Sequence, residues 1–108
     1  MTAVNRRKDR RVPISVPGKA NGKPVLVKNI SLGGLAFVTN RIKFKIGDEV
    51  LVELNILGLG DVTIGGTVVR MMDRTQYGVA FMGLSSNAFK MIEALELGQY
   101  RRRTLRAA

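Results

Sequence analysis

The chain has 108 residues, 45% of them hydrophobic, enough for one compact domain with one core and too few for two. It contains no cysteine and no histidine, which excludes disulfides, thiolate and imidazole metal sites, Cys or His nucleophilic relays, and the usual general base near neutral pH. The formal charge is +10, of which Arg6–Arg11 carries +4, Arg101–Arg106 another +4, and residues 12–100 only +2. The basicity therefore describes two terminal segments that could each hold an anion, rather than a uniformly basic face. No pair among the eight carboxylates has a spacing that suggests a shared cleft, so no enzyme activity and no catalytic cofactor are expected.

Residues 1–11 offer almost nothing to bury and are expected to form a mobile, arginine-rich arm. They lack the apolar stretch of a signal peptide, and no run in the chain approaches the ~18 residues of a membrane span, so a cytoplasmic protein is expected. Val12, Ile14 and Val16 alternate with Pro13, Ser15 and Pro17, a strand period whose prolines restrict it to an edge or an entrance. Asn21-Gly22 is a hairpin signal, and Pro24 to Ile30 the return strand. After Gly33-Gly34 come a third strand, Leu35 to Thr39, and a basic loop, Asn40 to Lys45. Val50 to Ile56 is the clearest period-2 segment, closed by Gly58-Leu59-Gly60-Asp61. Val62 to Met72 is long for one strand, and Gly65-Gly66 in its middle reads as a bulge or sharp bend. Gln76 to Met82 is the sixth strand. Ser85 or Ser86 then caps a helix with Ala88, Ile92 and Leu95 at helical spacing, Phe89 and Met91 flanking them, and Gly98 as a C-terminal stop. Residues 98–108 form a basic tail, either frayed or a continued helix. The expected fold is mainly β: a six-stranded antiparallel β-barrel with a C-terminal α-helix, spanning residues 12–97.

Two constellations carry the functional reading. The first, Arg6-Arg7-Lys8-Asp9-Arg10-Arg11, holds two arginine pairs four residues apart, Arg6 with Arg10 and Arg7 with Arg11. An arginine fork can meet guanine O6 and N7 or grip a phosphate. The same block also reads as a solvated leader or a sticky arm for RNA or anionic lipid. The second is Asn29-Ile30-Ser31-Leu32-Gly33-Gly34. In an extended backbone Asn29 and Ser31 point to one side, and Gly34 removes a Cβ that would block a close ligand. Strict alternation, however, places Val27 on the face of Asn29 and turns Lys28 inward with Ile30. Either the register breaks near Lys28 or the strand is covered on both sides. An Asx-type turn with Gly33 and Gly34 joining two strands is the plainer reading. The match of Asn29-Ile30-Ser31 to the glycosylation sequon is read as chance.

Together these residues resemble the RxxxR and [D/N]xSxxG motifs of the PilZ domain, with Arg7 to Arg11 leading into Val12-Pro13 and Asn29, Ser31 and Gly34 downstream. A barrel followed by a helix is also that family's plan, so the resemblance covers nearly the whole chain. It implies a bacterial receptor that binds cyclic di-GMP, a dinucleotide with two guanines and two phosphates, as a regulatory ligand. Arg7 and Arg11 would take guanine and phosphate, and Asn29 and Ser31 the second guanine surface. Arg6 resembles members that take up an intercalated pair of ligands. Asn29 stands where many members have Asp, offering one carbonyl oxygen where a carboxylate offers two. Ordering of the arm by ligand would signal to an unidentified downstream protein. The sequence leaves dimerisation open, through the helix or through a shared ligand. The alternatives are a small β-barrel nucleic-acid-binding module, disfavoured by the near-neutral body, and a degenerate PilZ protein-interaction module.

Overall fold

The computed structural model describes residues 11–56 and 58–107, with the helix course but not the side chains from residue 99 onward. Six strands are formed by β1 (Val12–Ala20), β2 (Lys23–Ile30), β3 (Gly34–Val38), β4 (Glu49–Ile56), β5 (Gly60–Met71) and β6 (Gln76–Phe81), followed by α1 (Ser86–Ala107). They close into an antiparallel barrel in the order β1-β2-β3-β6-β5-β4. Alternation decides the inside: Val25, Val27, Leu35, Phe37, Val50, Val52, Leu54, Ile64, Val68, Tyr77 and Val79 are all buried. Strand residues between them face outward, as the two-residue period requires.

Closure corrects the expectation that β1 is an edge strand, although the prolines act as anticipated. β1 pairs with β2 from Val12 to Ala20 but with β4 only over Gly18–Ala20. Pro13 and Pro17, which lack a donor, fall in the part with a single partner. Asn21 and Gly22 both take positive φ, 50° and 84°, as a two-residue hairpin turn demands. The Asn21 side chain ties that turn to the neighbouring strand, its Oδ1 accepting from Leu51 N–H at 2.8 Å.

Gly65 and Gly66 are not a bulge, contrary to the expectation from sequence. The pairing of β4 with β5 runs unbroken through them. Gly66 is required because a Cβ there would stand 2.6 Å from the Ala80 carbonyl oxygen, so the residue lets β6 approach. The break in β5 lies further on, where Val68 pairs with Val79 and Arg70 with Gly78, leaving Val69 as the extra residue.

The basic loop after β3 contributes more than polarity. Phe44 is buried and packs edge-on to Phe37 and Tyr77, with ring centroids 5.6 and 5.3 Å away, while its N–H donates to the Tyr77 hydroxyl. This aromatic trio is part of the barrel core. At the other side of the chain Ser85 caps α1, its Oγ accepting from Ala88 N–H at 3.1 Å. Ala88, Met91 and Ile92 join the barrel core, and α1 packs against β1 and β5. The helix passes through Gly98 to Ala107, so the glycine is not a stop. Among the described residues no helix is long and apolar enough to cross a membrane.

Candidate functional site

The site is built around a register break at Lys28. Val27 pairs with Phe37 and Asn29 with Ala36, so β2 carries one residue more than β3 between these pairs. Lys28 is exposed, Asn29 is half-buried, and Ile30 returns to the core. Of the two alternatives open from sequence, the broken register holds, and the bulge puts Asn29 on the outer face of the barrel. β1 is irregular opposite the same point, between Pro13 and Val16.

That geometry brings the ends of the two constellations together. Arg11 stands just before β1, and the pairing of Pro13 with Asn29 sets it beside β2. Its Nη1 donates to Asn29 Oδ1 at 3.1 Å. Arg6, Arg7 and Arg10 lie outside the described residues.

Ser31 is 1% exposed, and its hydroxyl serves the turn. Its Oγ donates to the Gly34 carbonyl and accepts from Gly33 N–H, both at 3.3 Å, while Ser31 N–H donates to the same Gly34 carbonyl at 2.8 Å. The serine therefore shapes the loop that borders the site, where the sequence suggested a side chain presented alongside Asn29. Gly33 is exposed, with open space where a Cβ would stand. Its carbonyl accepts from Phe81 N–H at 2.9 Å, anchoring the turn to β6. Gly34 has a structural requirement of its own. A Cβ there would lie 2.1 Å from the Val79 carbonyl oxygen, so its missing side chain admits the β6 backbone.

These residues border a cleft of about 350 Å³, lined by Arg11, Asn29, Ser31, Gly33 and Gly34 on one side, by Ala36, Gly78, Val79 and Ala80 in the middle, and by Val69, Arg70 and Met72 on the other. The lining contains two arginines and no carboxylate, which suits an anionic ligand. Arg70, Met72 and the small residues of β3 and β6 were not singled out by sequence reasoning. Gly78 and Ala80 at alternate positions of β6, opposite Ala36 and Gly34, were the available signal.

Residues 5–98 match the PilZ domain family. The chain belongs to the PilZ domain family. No curated protein matches the sequence significantly. Solved PilZ structures share the fold. The PilZ domain of CeSA from a cellulose-synthesizing bacterium aligns with a TM-score of 0.65 at 14% identity, covering 81% of this chain and 98% of that one. The PilZ domain of YcgR from Escherichia coli, in a structure with c-di-GMP, aligns with a TM-score of 0.64 at 14% identity, covering 91% and 94%. The Bacillus subtilis inhibitor of motility MotI aligns with a TM-score of 0.67 at 16% identity over 87% of this chain and 49% of its own, so this chain spans about half of MotI.

Proposed function

We propose that this PilZ domain is a cyclic di-GMP receptor, and that its ligand sits in the cleft between Arg11 and Arg70. The observation that carries the reading is the 3.1 Å hydrogen bond from Arg11 to Asn29, which joins the last residue of RxxxR to the first of NxSxxG at the border of a carboxylate-free cleft. The YcgR domain, whose structure holds c-di-GMP, supplies the identity of the ligand by likeness of fold and family. In this reading Arg7 joins Arg11 on guanine and phosphate, and the nucleotide draws residues 6–11 onto the barrel face. The change in exposed surface is then read by a downstream protein. No reaction is involved. Arg6 provides a further cation for a second, intercalated ligand.

Isothermal titration of the full chain with cyclic di-GMP tests this. Each bidentate arginine contact is worth about 1–3 kcal/mol, so Arg7→Ala or Arg11→Ala should weaken binding roughly 5- to 150-fold. A stoichiometry of two ligands per chain supports the intercalated pair. Wild-type affinity in the Arg7→Ala/Arg11→Ala double variant would rule out the site. Binding of single-stranded nucleic acid that survives Asn29→Ala and falls steeply with salt would favour a phosphate-tracking module instead.

A further inference from the structure

We propose that Arg70 forms the opposing wall of the nucleotide site and reads a guanine edge, making it a specificity-determining residue outside both sequence motifs. The proposal rests on the cyclic di-GMP reading above. Its basis is a row of paired residues across four strands: Asn29 with Ala36, Ala36 with Gly78, and Gly78 with Arg70. Residues in one row share a face. Ala36 lies between core residues Leu35 and Phe37, and Gly78 between Tyr77 and Val79, so the row lies on the outer face of the barrel. Between its two polar ends the row itself carries nothing larger than a methyl group.

Arg70 reaches that face through a bulge. Val62, Ile64 and Val68 are buried at alternate positions, and unbroken alternation would carry Arg70 into the core after them. The extra residue Val69 reverses the phase and exposes the arginine. The Arg70 side chain makes no hydrogen bond or ion pair among the described residues. Its root is also fitted to the glycine opposite: a Cβ on Gly78 would lie 3.3 Å from Arg70 Cβ and 3.5 Å from Met72 Cε. Any larger residue at 78 would intrude between these side chains and the floor of the cleft.

Three strand spacings separate Asn29 from Arg70, about 14 Å along the sheet, a span that one base and the reach of an arginine can fill. A base lying on Ala36 and Gly78 turns different edges to the two walls. Guanine offers the donors N1–H and N2–H to the Asn29 carbonyl, and the acceptors O6 and N7 to a guanidinium fork. Adenine carries an N6 donor where guanine has O6, so the fork would oppose it. Met72 adds an apolar flank beside the ring.

The test is calorimetric titration of wild type, Arg70→Ala and Arg70→Lys with cyclic di-GMP and with its 7-deazaguanine analogue, which lacks the N7 acceptor. Arg70→Ala should weaken cyclic di-GMP binding roughly 5- to 150-fold, and Arg70→Lys should restore little because an ammonium has no fork. The affinity lost by wild type on the deaza substitution should shrink in Arg70→Ala. Because Arg70 is exposed, an unchanged melting temperature accompanies these effects. Unaltered cyclic di-GMP affinity in Arg70→Ala, beside a weakened Arg11→Ala, overturns the role of Arg70 and leaves the receptor reading standing. The same deaza penalty in wild type and Arg70→Ala overturns the guanine assignment. Failure of wild type to bind cyclic di-GMP removes the receptor reading and this proposal together.

Discussion

Gly34→Ala separates two explanations of the motif glycine. If the residue clears space for a ligand, alanine should impair binding and leave the fold alone. The structure predicts the reverse order of effects. The new Cβ would lie 2.1 Å from Val79 O and 3.2 Å from Val79 C, both backbone atoms that no rotamer change can move. Restoring ordinary contact requires β3 to withdraw from β6 by roughly 1 Å. The 2.9 Å bond from Phe81 N–H to the Gly33 carbonyl cannot survive that displacement, nor can the ladder bonds next to the Gly34–Ala80 pair. Two or three such bonds at about 0.5–1.5 kcal/mol each amount to a loss of about 1–4.5 kcal/mol. For a domain of this size the melting temperature falls by about 5–20 °C. Thermal unfolding followed by circular dichroism, with Gly33→Ala as the companion, provides the comparison. Gly33 has open space at its Cβ position and no positive φ, so its alanine variant should stay within about 0.5 kcal/mol of wild type. Equal stability of the two variants, with cyclic di-GMP binding lost only in Gly34→Ala, would refute the close-approach argument.

Ser31→Ala should destabilise the domain by about 1–2 kcal/mol in denaturant unfolding, because it removes the acceptor of Gly33 N–H and one of two donors to the Gly34 carbonyl. Abolished nucleotide binding at unchanged stability would instead make that hydroxyl a ligand contact. Asn29→Asp should raise nucleotide affinity, by roughly two- to tenfold, since a carboxylate makes a charge-assisted bond to Arg11 and keeps an oxygen for guanine donors. Weaker titration isotherms for this variant would show that Arg11 must leave Asn29 when the ligand arrives.

The strands and the helix were legible because local alternation and capping encode them. The β4 and β5 segments, the Asn21-Gly22 turn and the serine before α1 all follow from residues within a few positions of one another. Lys28 flagged the register break as one of two alternatives, since inward alternation back from Ile30 would bury a lysine, and the pairing of Val27 with Phe37 and Asn29 with Ala36 decides for the break. What depended on cross-strand distance was not legible. Gly34 and Gly66 look alike in sequence to the open Gly33 and Gly65, yet only the first pair has a backbone carbonyl where a side chain would go. Phe44 reads as part of a basic loop until Phe37 and Tyr77 are brought to it. The role of the bulge was anticipated in β5 but placed at its glycines, whereas a polar residue out of phase, Arg70, was the better marker.

Two out-of-phase polar residues form the opposite ends of the proposed site. Asn29 follows Val25 and Val27, and Arg70 follows Ile64 and Val68, at the spacing that points inward. A guanidinium left in a core without a partner costs several kcal/mol. A bulge costs far less, since it gives up a ladder pairing and keeps every valine before it buried. The apolar core therefore forces the break in both strands, and each break falls immediately before the polar residue. The coincidence that matters is between strands: the residues after the two bulges meet the paired Ala36 and Gly78, and so end up in one row. Shifting either bulge by one residue would turn its polar residue into the core or move it out of the row. The proposed site therefore depends on the phase of β2 and β5 as much as on motif residues, and Arg70 is placed by the same device that places Asn29.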